Sequence, residues 1–166
     1  MDYNPDTIKD MLRHALSKKI CLKHPVGALI ETLEDDERYV FGWNGAPSKI
    51  KHNGCNREGY ASGEGMEKCP GIHAERRAIS RAARNGILVR NGTIYLSEWF
   101  PCSDCAKSIV ESNIIRLVTP DAFYQNKENH ILLPKLQNQP YNFEMAEKIM
   151  REAELEMIVD PRIRPY

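Results

Sequence analysis

Two short segments of the sequence carry residue types that bind zinc and move protons. His73 and Glu75 lie two positions apart in the first segment, and Cys102 and Cys105 lie three apart in the second. An imidazole and two thiolates fill three of the four positions of tetrahedral zinc, and catalytic sites keep the fourth position open. Glu75 fits poorly as a fourth ligand but is well placed to move protons beside that position. The pattern predicts a catalytic zinc site, with a purely structural metal as the alternative.

Each segment is expected to lie where a helix begins. Cys102 and Cys105 would share one helix face at this spacing, and Pro101 suits the start of that helix because it has no N–H to leave unpaired. The positive end of the helix dipole lowers the pKa of thiols placed there. His73 and Glu75 would point to nearly opposite sides in the middle of a helix, so they converge only if the chain is entering one.

The remaining pattern predicts the elements that position these segments. They follow the order helix, β-hairpin, helix, strand, helix, strand, helix and strand, which implies an α/β fold with a central mixed sheet and helices on both faces. The strands are expected at 26–32, 39–43, 93–97, 114–119 and 155–159. Asn4 with Pro5, Asn85 with Gly86, and Asn142 are the predicted helix-boundary signals.

The chain is interpreted as one domain. Its 166 residues are enough to bury a sizeable core. We expect a core at about 5–119, an insertion at about 120–141, and a C-terminal helix and strand at 142–160.

Composition limits the classes of partner. The 23 basic residues balance the 23 acidic ones, and the absence of a basic stripe favours a small substrate over nucleic acid. No segment has the length and apolarity of a signal peptide or a membrane span, so no membrane partner is expected. Five cysteines, an odd number with two in a metal motif, indicate a reducing compartment. These observations predict a soluble, cytoplasmic protein.

Four segments resemble the cytidine deaminase superfamily and, within it, the deoxycytidylate (dCMP) deaminases, including the bacterial late-competence type. They are 21–30, 42–47, 69–75 with 82–86, and 94–107. The pattern H-x-E followed by P-C-x-x-C is the signature of zinc nucleobase deaminases. The segments Asn-Gly-x-Pro and Cys-x-x-x-His-Ala-Glu narrow the resemblance to dCMP deaminases. It implies a cytidine-deaminase-like three-layer sandwich around a five-stranded mixed sheet. Residues 98–100 are bulkier than the segment common in the family.

The resemblance implies zinc-dependent hydrolytic deamination of dCMP to dUMP, with release of ammonia, feeding thymidylate synthesis. Zinc would lower the pKa of a bound water, and Glu75 would carry the proton to the ring and then to the departing amine. The alternative substrates are cytidine or deoxycytidine, a modified pyrimidine nucleotide, and a purine base. Balanced charge argues against a tRNA or single-stranded DNA deaminase. The presence of Glu75 argues against a non-catalytic zinc module.

Five residues are candidates for substrate binding. Asn44 and Gly45 match the family segment that bonds sugar or base, although Asn-Gly is also a common hairpin turn. By family analogy, the main chain of Ala74 and Ser97 would read the Watson–Crick edge of the base. Phe100 could stack on the pyrimidine or pack in the core.

A second, structural zinc is a further candidate in the long loop 44–70. His52, Cys55 and Cys69 could ligate it, but their spacing is not that of a zinc knuckle, and free packed thiols are the alternative.

A nucleotide substrate also needs a phosphate partner. Lys49, His52 and Arg57 could provide a charge-assisted donor, with an ordinary solvated loop as the alternative. Arg84 could instead serve an intersubunit site or a regulatory nucleotide site, the latter with Mg²⁺, because dCMP deaminases are commonly allosteric oligomers. The resemblance also implies a homo-oligomer, a hexamer or another even-numbered assembly.

Overall fold

The computed structural model of the protein describes residues 3–18, 21–33, 39–51, 54–61, 64–120 and 141–166. These residues form four α-helices and five strands, with short 3-10 helices at Met66–Lys68 and Pro161–Ile163. The helices are α1 (Pro5–Ser17), α2 (Ala74–Asn85), α3 (Ser103–Glu111) and α4 (Phe143–Glu152). The strands are β1 (Gly27–Glu31), β2 (Tyr39–Trp43), β3 (Thr93–Leu96), β4 (Arg116–Thr119) and β5 (Glu156–Val159).

The strands form one mixed sheet in the order β2-β1-β3-β4-β5. β1 is antiparallel to both β2 and β3, whereas β3, β4 and β5 are parallel. Parallel neighbours need a crossover connection; α3 lies between β3 and β4 in the chain, and α4 precedes β5. The predicted hairpin and the predicted mixed sheet are both confirmed.

Helices cover both faces of this sheet. α2, α3 and α4 contribute Ala78, Ile109 and Met150 to the larger core cluster. α1 contributes Ile8 and Leu12 to a second cluster on the opposite face. Every residue of β1 is buried because helices cover both faces of this inner strand, whereas burial alternates along the edge strand β2. The three-layer sandwich is therefore confirmed.

The predicted helix-boundary signals act as expected. The side chain of Asn4 accepts hydrogen bonds from the N–H groups of Asp6 (2.9 Å) and Thr7 (3.2 Å) at the start of α1. Gly86 ends α2 in the left-handed conformation, with φ of 71°, and Asn142 caps α4. Local chemistry at these positions is enough to set the helix boundaries.

The predicted strand boundaries were less accurate. Four of the five strands are one or two residues shorter than expected, within the uncertainty with which strand ends are assigned. Residues 121–140, most of the predicted insertion, lie outside the described residues. Across the described ranges, no helix combines the length and apolarity needed to cross a membrane.

Gly42 is the point where α2 comes closest to the sheet. A Cβ built on Gly42 would lie 2.1 Å from the carbonyl oxygen of Ala74 and 2.7 Å from the amide nitrogen of Ala78. The first turn of α2 thus lies directly on the backbone of β2, which a glycine in a strand interior permits. This contact fixes where α2 begins relative to the sheet.

Candidate active site

The predicted zinc ligands occupy equivalent positions at the starts of two helices. His73 is the N-cap residue of α2 and Cys102 is the N-cap residue of α3, while Cys105 lies in the first turn of α3. Within the described chain, neither His73 nor Cys102 makes a side-chain capping hydrogen bond. Both side chains are turned instead toward each other. Pro101 directly precedes the N-cap of α3, two positions before the first helical residue.

The ligand atoms lie at separations that suit zinc. His73 Nδ1 is 3.4 Å from the sulfur of Cys102 and 3.3 Å from that of Cys105. Zinc bonds of ordinary length in a tetrahedron place nitrogen and sulfur about 3.6 Å apart. Among the described residues, these three form the only group of at least three His, Cys, Asp or Glu whose ligand atoms lie within 4.8 Å of one another. An imidazole and two sulfurs at these distances fit zinc.

Hydrogen bonds and burial shift the pKa values of all three ligands. Hydrogen bonds from Cys105 and His73 lower the pKa of Cys102 to about 4, against the opposing effect of burial. The hydrogen bond to Cys102 raises the pKa of His73 to about 9. The hydrogen bond to Cys102, followed by burial, raises the pKa of Cys105. Protons hold these three side chains together through hydrogen bonds. A divalent cation would displace those protons, because metal ligands must be deprotonated.

Glu75 lies beside these ligands without joining them. It is the second residue of α2 and is 6% exposed, and the charges of His73 and Cys102 act on its carboxyl group. Burial, as the largest effect, raises the pKa of its carboxyl group above the ordinary value. A carboxyl group with a raised pKa can accept and return a proton near neutral pH. His73 and Glu75 converge because the chain enters a helix between them.

A cleft of about 520 Å³, counting its open mouth, lies against this group. Its described lining consists of His24, Val26, Asn44, His73, Ala74, Glu75, Glu98, Trp99, Phe100, Cys102, Tyr141 and Phe143. The cleft brings the candidate metal group, Glu75 and several aromatic side chains to one surface.

Aromatic rings form one wall of the cleft. Ring centroids are 6.4 Å apart between His73 and Tyr141, 6.1 Å between Tyr141 and Trp99, and 5.5 Å between Trp99 and His24. Trp99 has a positive φ of 64°, which is unfavourable for a bulky residue. Its carbonyl oxygen accepts a 2.6 Å hydrogen bond from the hydroxyl of Thr119, which helps to hold this conformation. The wall runs from the candidate metal group to His24.

Asn44 lines the cleft, and its amide group forms hydrogen bonds to the backbone of neighbouring segments. Its Oδ1 accepts from the N–H of Val26 at 2.8 Å, and its Nδ2 donates to the carbonyl of His24 at 2.5 Å. Asn44 and Gly45 do not form a hairpin turn; Gly45 instead pairs with Ile72 through two backbone hydrogen bonds. Asn44 therefore joins the end of β2 to the segment before β1.

The other substrate-binding candidates fall into two groups. Ala74 and Phe100 line the cleft, and the Phe100 ring also packs on Phe143 at 6.4 Å. Gly45 and Ser97 are not among the described residues of the lining. The N–H of Ser97 donates to the carbonyl of Gly27 at 2.9 Å, so that donor is already used in the fold.

Of the loop candidates for phosphate, Lys49 and Arg57 are not among the described residues of the lining. Arg57 is 7% exposed and donates to the carbonyls of Glu64 (2.7 Å) and Ala61 (3.3 Å), so it stabilises its own loop. Lys49 is exposed, and Arg84 is exposed at the end of α2. His52 lies outside the described residues.

Cys55 and Cys69 are half-buried free cysteines. In the part of the chain that the structure describes, neither joins a group of three ligand-type side chains. Nothing in these residues supports a second zinc, and His52, the third predicted ligand, is not described.

Arg77 is a positioning residue that the sequence analysis missed. It is 7% exposed, and its Nη2 donates to the carbonyls of Gly45 and Ala46, each at 2.7 Å. Its guanidinium group also lies over the ring of Trp43, 5.2 Å from the centroid. Arg77 thereby ties the loop that follows β2, and with it Asn44, to α2. An arginine in an amphipathic helix gives no sequence signal of burial.

His24, Trp99 and Tyr141 were also missed as parts of one cleft. They come from three loops that are far apart in the sequence, so no local spacing connects them. The one available signal was the bulky segment 98–100.

Comparison with known proteins identifies relatives of this chain. Deoxycytidylate deaminase of Enterobacteria phage T2 is 46% identical over 56 residues, which cover 34% of this chain and 29% of the relative. Deoxycytidylate deaminase of Saccharomyces cerevisiae is 27% identical over 122 residues, which cover 72% of this chain and 38% of the relative. The chain thus spans less than two fifths of the length of these curated relatives.

Solved structures show the same fold. The dCMP deaminase of cyanophage S-TIM5, in complex with dCMP and dUMP, superposes with a TM-score of 0.66 over 96% of this chain and 100% of that chain, at 16% identity. Residues 5–120, more than half of the chain, match the family described as "Cytidine and deoxycytidylate deaminase zinc-binding region". The chain therefore belongs to the cytidine and deoxycytidylate deaminase family.

Proposed function

We propose that this protein is a zinc-dependent hydrolase that converts dCMP and water to dUMP and ammonia. The observation that carries this proposal is the convergence of two helix N-termini, which brings His73, Cys102 and Cys105 together beside the buried carboxyl group of Glu75. The choice of dCMP rests on the relatives, which are named as deoxycytidylate deaminases, and on the structural neighbour that binds dCMP and dUMP. The product would feed thymidylate synthesis.

The two N-cap residues and Cys105 would hold the zinc ion. Zinc bound there would act as a Lewis acid and make water a nucleophile near neutral pH. The thiolates of Cys102 and Cys105 offset the charge of the ion, and the first turns of α2 and α3 fix the directions of the ligands.

Glu75 would move the protons of the reaction. Its carboxylate takes a proton from the attacking water and gives it to N3 of the cytosine ring as the C4–O bond forms. It then takes the proton of the C4 hydroxyl and gives it to the amino group, the C4–N bond breaks, and ammonia leaves as the C4 carbonyl forms. Burial suits Glu75 to both steps, because its raised pKa brings the carboxyl group closer to neutral pH.

The cleft would hold the base next to Glu75. Ala74 and Phe100 line it, and the aromatic wall of Tyr141 and Trp99 limits access of bulk water to the reacting atoms. Stacking of Phe100 on the pyrimidine is part of this proposal. The homo-oligomeric state, the cytoplasmic location and a regulatory nucleotide with Mg²⁺ stay predictions.

Replacement of the carboxyl group tests the proposal. Glu75→Gln should retain zinc but lose about 10²- to 10⁴-fold in ammonia release from dCMP, the range typical of general acid–base catalysis. Zinc is measured by elemental analysis and ammonia by a coupled assay. Glu111→Gln, an exposed change on α3, is the matched control and should leave both readouts unchanged.

A panel of dCMP, deoxycytidine, CMP, dCTP and guanine identifies the substrate. A wild-type protein that deaminates another member of the panel, and not dCMP, would contradict the choice of nucleotide. Full activity of zinc-loaded Glu75→Gln would contradict the role of the carboxyl group.

A further inference from the structure

We infer that His24 recognises the 5′-phosphate of the nucleotide, as a specificity-determining residue at the end of the cleft away from the metal group. This inference rests on the proposed function, because it assigns one part of the same substrate. His24 lines the cleft and begins the aromatic wall that continues through Trp99 and Tyr141 to His73. A base placed beside Glu75 would therefore direct the rest of the nucleotide along this wall.

Other polar side chains of the described lining either form hydrogen bonds within the protein or carry negative charge. Asn44 bonds through both ends of its amide group, the indole N–H of Trp99 donates to Glu98 at 3.1 Å, and the hydroxyl of Tyr141 donates to the sulfur of Met66 at 3.8 Å. The carboxylates of Glu75 and Glu98 would repel a phosphate.

His73 and Cys102 belong to the metal group, so His24 is the remaining polar side chain of the described lining that could bind a phosphate. No hydrogen bond joins its ring nitrogens to another part of the described chain. The described lining contains no lysine or arginine. The imidazole N–H of His24 is therefore the side-chain donor that this end of the cleft can offer to a phosphate oxygen.

The charges of two cations, Lys23 and Arg57, act on His24. Lys23 bonds to the carbonyls of Arg57 and Tyr60, and Arg57 bonds to carbonyls of its own loop, so both cations are held in place. Burial lowers the pKa of His24, and the charges of Lys23 and Arg57 lower it further. The same two charges that disfavour an imidazolium would attract a phosphate dianion, and hydrogen bonds to a charged acceptor are stronger than neutral ones.

The backbone of His24 is held in position. Its carbonyl accepts from Asn44, and its N–H lies 3.5 Å from the sulfur of Cys21. A donor fixed in this way loses little conformational freedom when a ligand binds, which favours affinity.

Binding of the reaction products tests the inference without turnover. Dissociation constants for dUMP and deoxyuridine are measured by calorimetry on zinc-loaded wild type, His24→Ala, His24→Gln and, as a matched control, His14→Gln on the exposed side of α1. His24→Ala should weaken dUMP binding about 10- to 100-fold, the loss expected for a hydrogen bond to a charged group. It should leave deoxyuridine binding within about 2-fold. His24→Gln, which keeps an N–H donor, should restore part of the loss, and His14→Gln should change neither constant.

Several outcomes would overturn the inference. Equal weakening of dUMP and deoxyuridine by His24→Ala would show that the ring acts by packing on Trp99. Unchanged dUMP binding, or a wild type that binds dUMP no more tightly than deoxyuridine, would show that this residue does not read the phosphate. A wild type that prefers dUMP through His24 yet deaminates no member of the substrate panel would refute the proposed reaction and leave this inference standing.

Discussion

Substitution of Gly42 by alanine should disturb the zinc site from a distance. The added Cβ would lie 2.1 Å from the carbonyl oxygen of Ala74, 2.7 Å from the amide nitrogen of Ala78 and 2.9 Å from the Ala78 Cβ. The shortest of these is about 1.3 Å less than an ordinary contact of 3.4 Å. Two of the three atoms belong to the helix backbone and cannot rotate away. The first turn of α2 must therefore move off the sheet.

The expected magnitude follows from this displacement. Overpacking of a core typically costs 1–3 kcal/mol, and backbone contacts place Gly42→Ala at the upper end, about 3 kcal/mol. For a chain of this size each kcal/mol lowers Tm by about 2–4 °C, so a decrease of about 6–12 °C is expected. His73 directly precedes Ala74, so its Nδ1 would shift by more than the ~0.2 Å that zinc geometry tolerates. We expect zinc affinity to fall at least 10-fold.

Thermal unfolding and competition with a chromophoric chelator measure the two effects. Gly27→Ala is the control, because its Cβ would lie 3.2 Å from the Cβ of Ala15 in α1, on the opposite face of the sheet. The control should lower Tm less and leave zinc affinity unchanged. If Gly42→Ala kept zinc affinity within 2-fold and Tm within 2 °C of wild type, the packing of α2 on β2 would not be what positions His73.

Two further changes test the metal group and the acid stability of the fold. Cys105→Ser should lose zinc, measured by elemental analysis, and ammonia release from dCMP should fall in proportion. Cys21→Ser should keep its zinc, and zinc retained by Cys105→Ser would contradict the ligand assignment. Hydrogen bonds from Arg162, and then from Tyr3, lower the pKa of Asp160 to about 2 against the effect of burial. The Asp160 carboxylate therefore stabilises the fold fully above about pH 4, and this contribution is lost as the pH falls toward 2. Asp160→Asn should therefore reduce the free energy of unfolding by about 1–2 kcal/mol at pH 6, with a smaller difference from wild type at pH 3, measured by urea denaturation; a pH-independent difference would contradict this assignment.

Features encoded by neighbouring residues could be predicted from the sequence. Asn4 with Pro5, Gly86 and Asn142 set helix boundaries through short-range hydrogen bonds and backbone conformation, so the boundaries followed from residue type alone. The order of the elements was then enough to indicate the layers of the sandwich. The candidate group of His73, Cys102 and Cys105 could be singled out because few residue types bind zinc and their spacings suit helix starts.

Features that depend on tertiary contacts could not be predicted. The amide of Asn44 bonds to Val26 and His24, which lie 18 and 20 residues earlier in the chain, and no local pattern predicts these contacts. Burial of the Arg77 guanidinium depends on two carbonyls in a distant loop. The cleft wall likewise combines Trp99 and Tyr141 only after α3 and α4 have packed together. Each of these contacts is decided by the path of the chain in space.

The convergence of α2 and α3 also bears on which metal ions the protein can retain. Both helices direct the positive ends of their dipoles toward the same small volume, and this field disfavours any complex that keeps a net positive charge. Zinc with two thiolates is formally neutral, whereas Mg²⁺ or Ca²⁺, which bind thiolates poorly and retain water, would remain cationic. The paired helix starts thus discriminate among divalent ions by charge as well as by ligand softness.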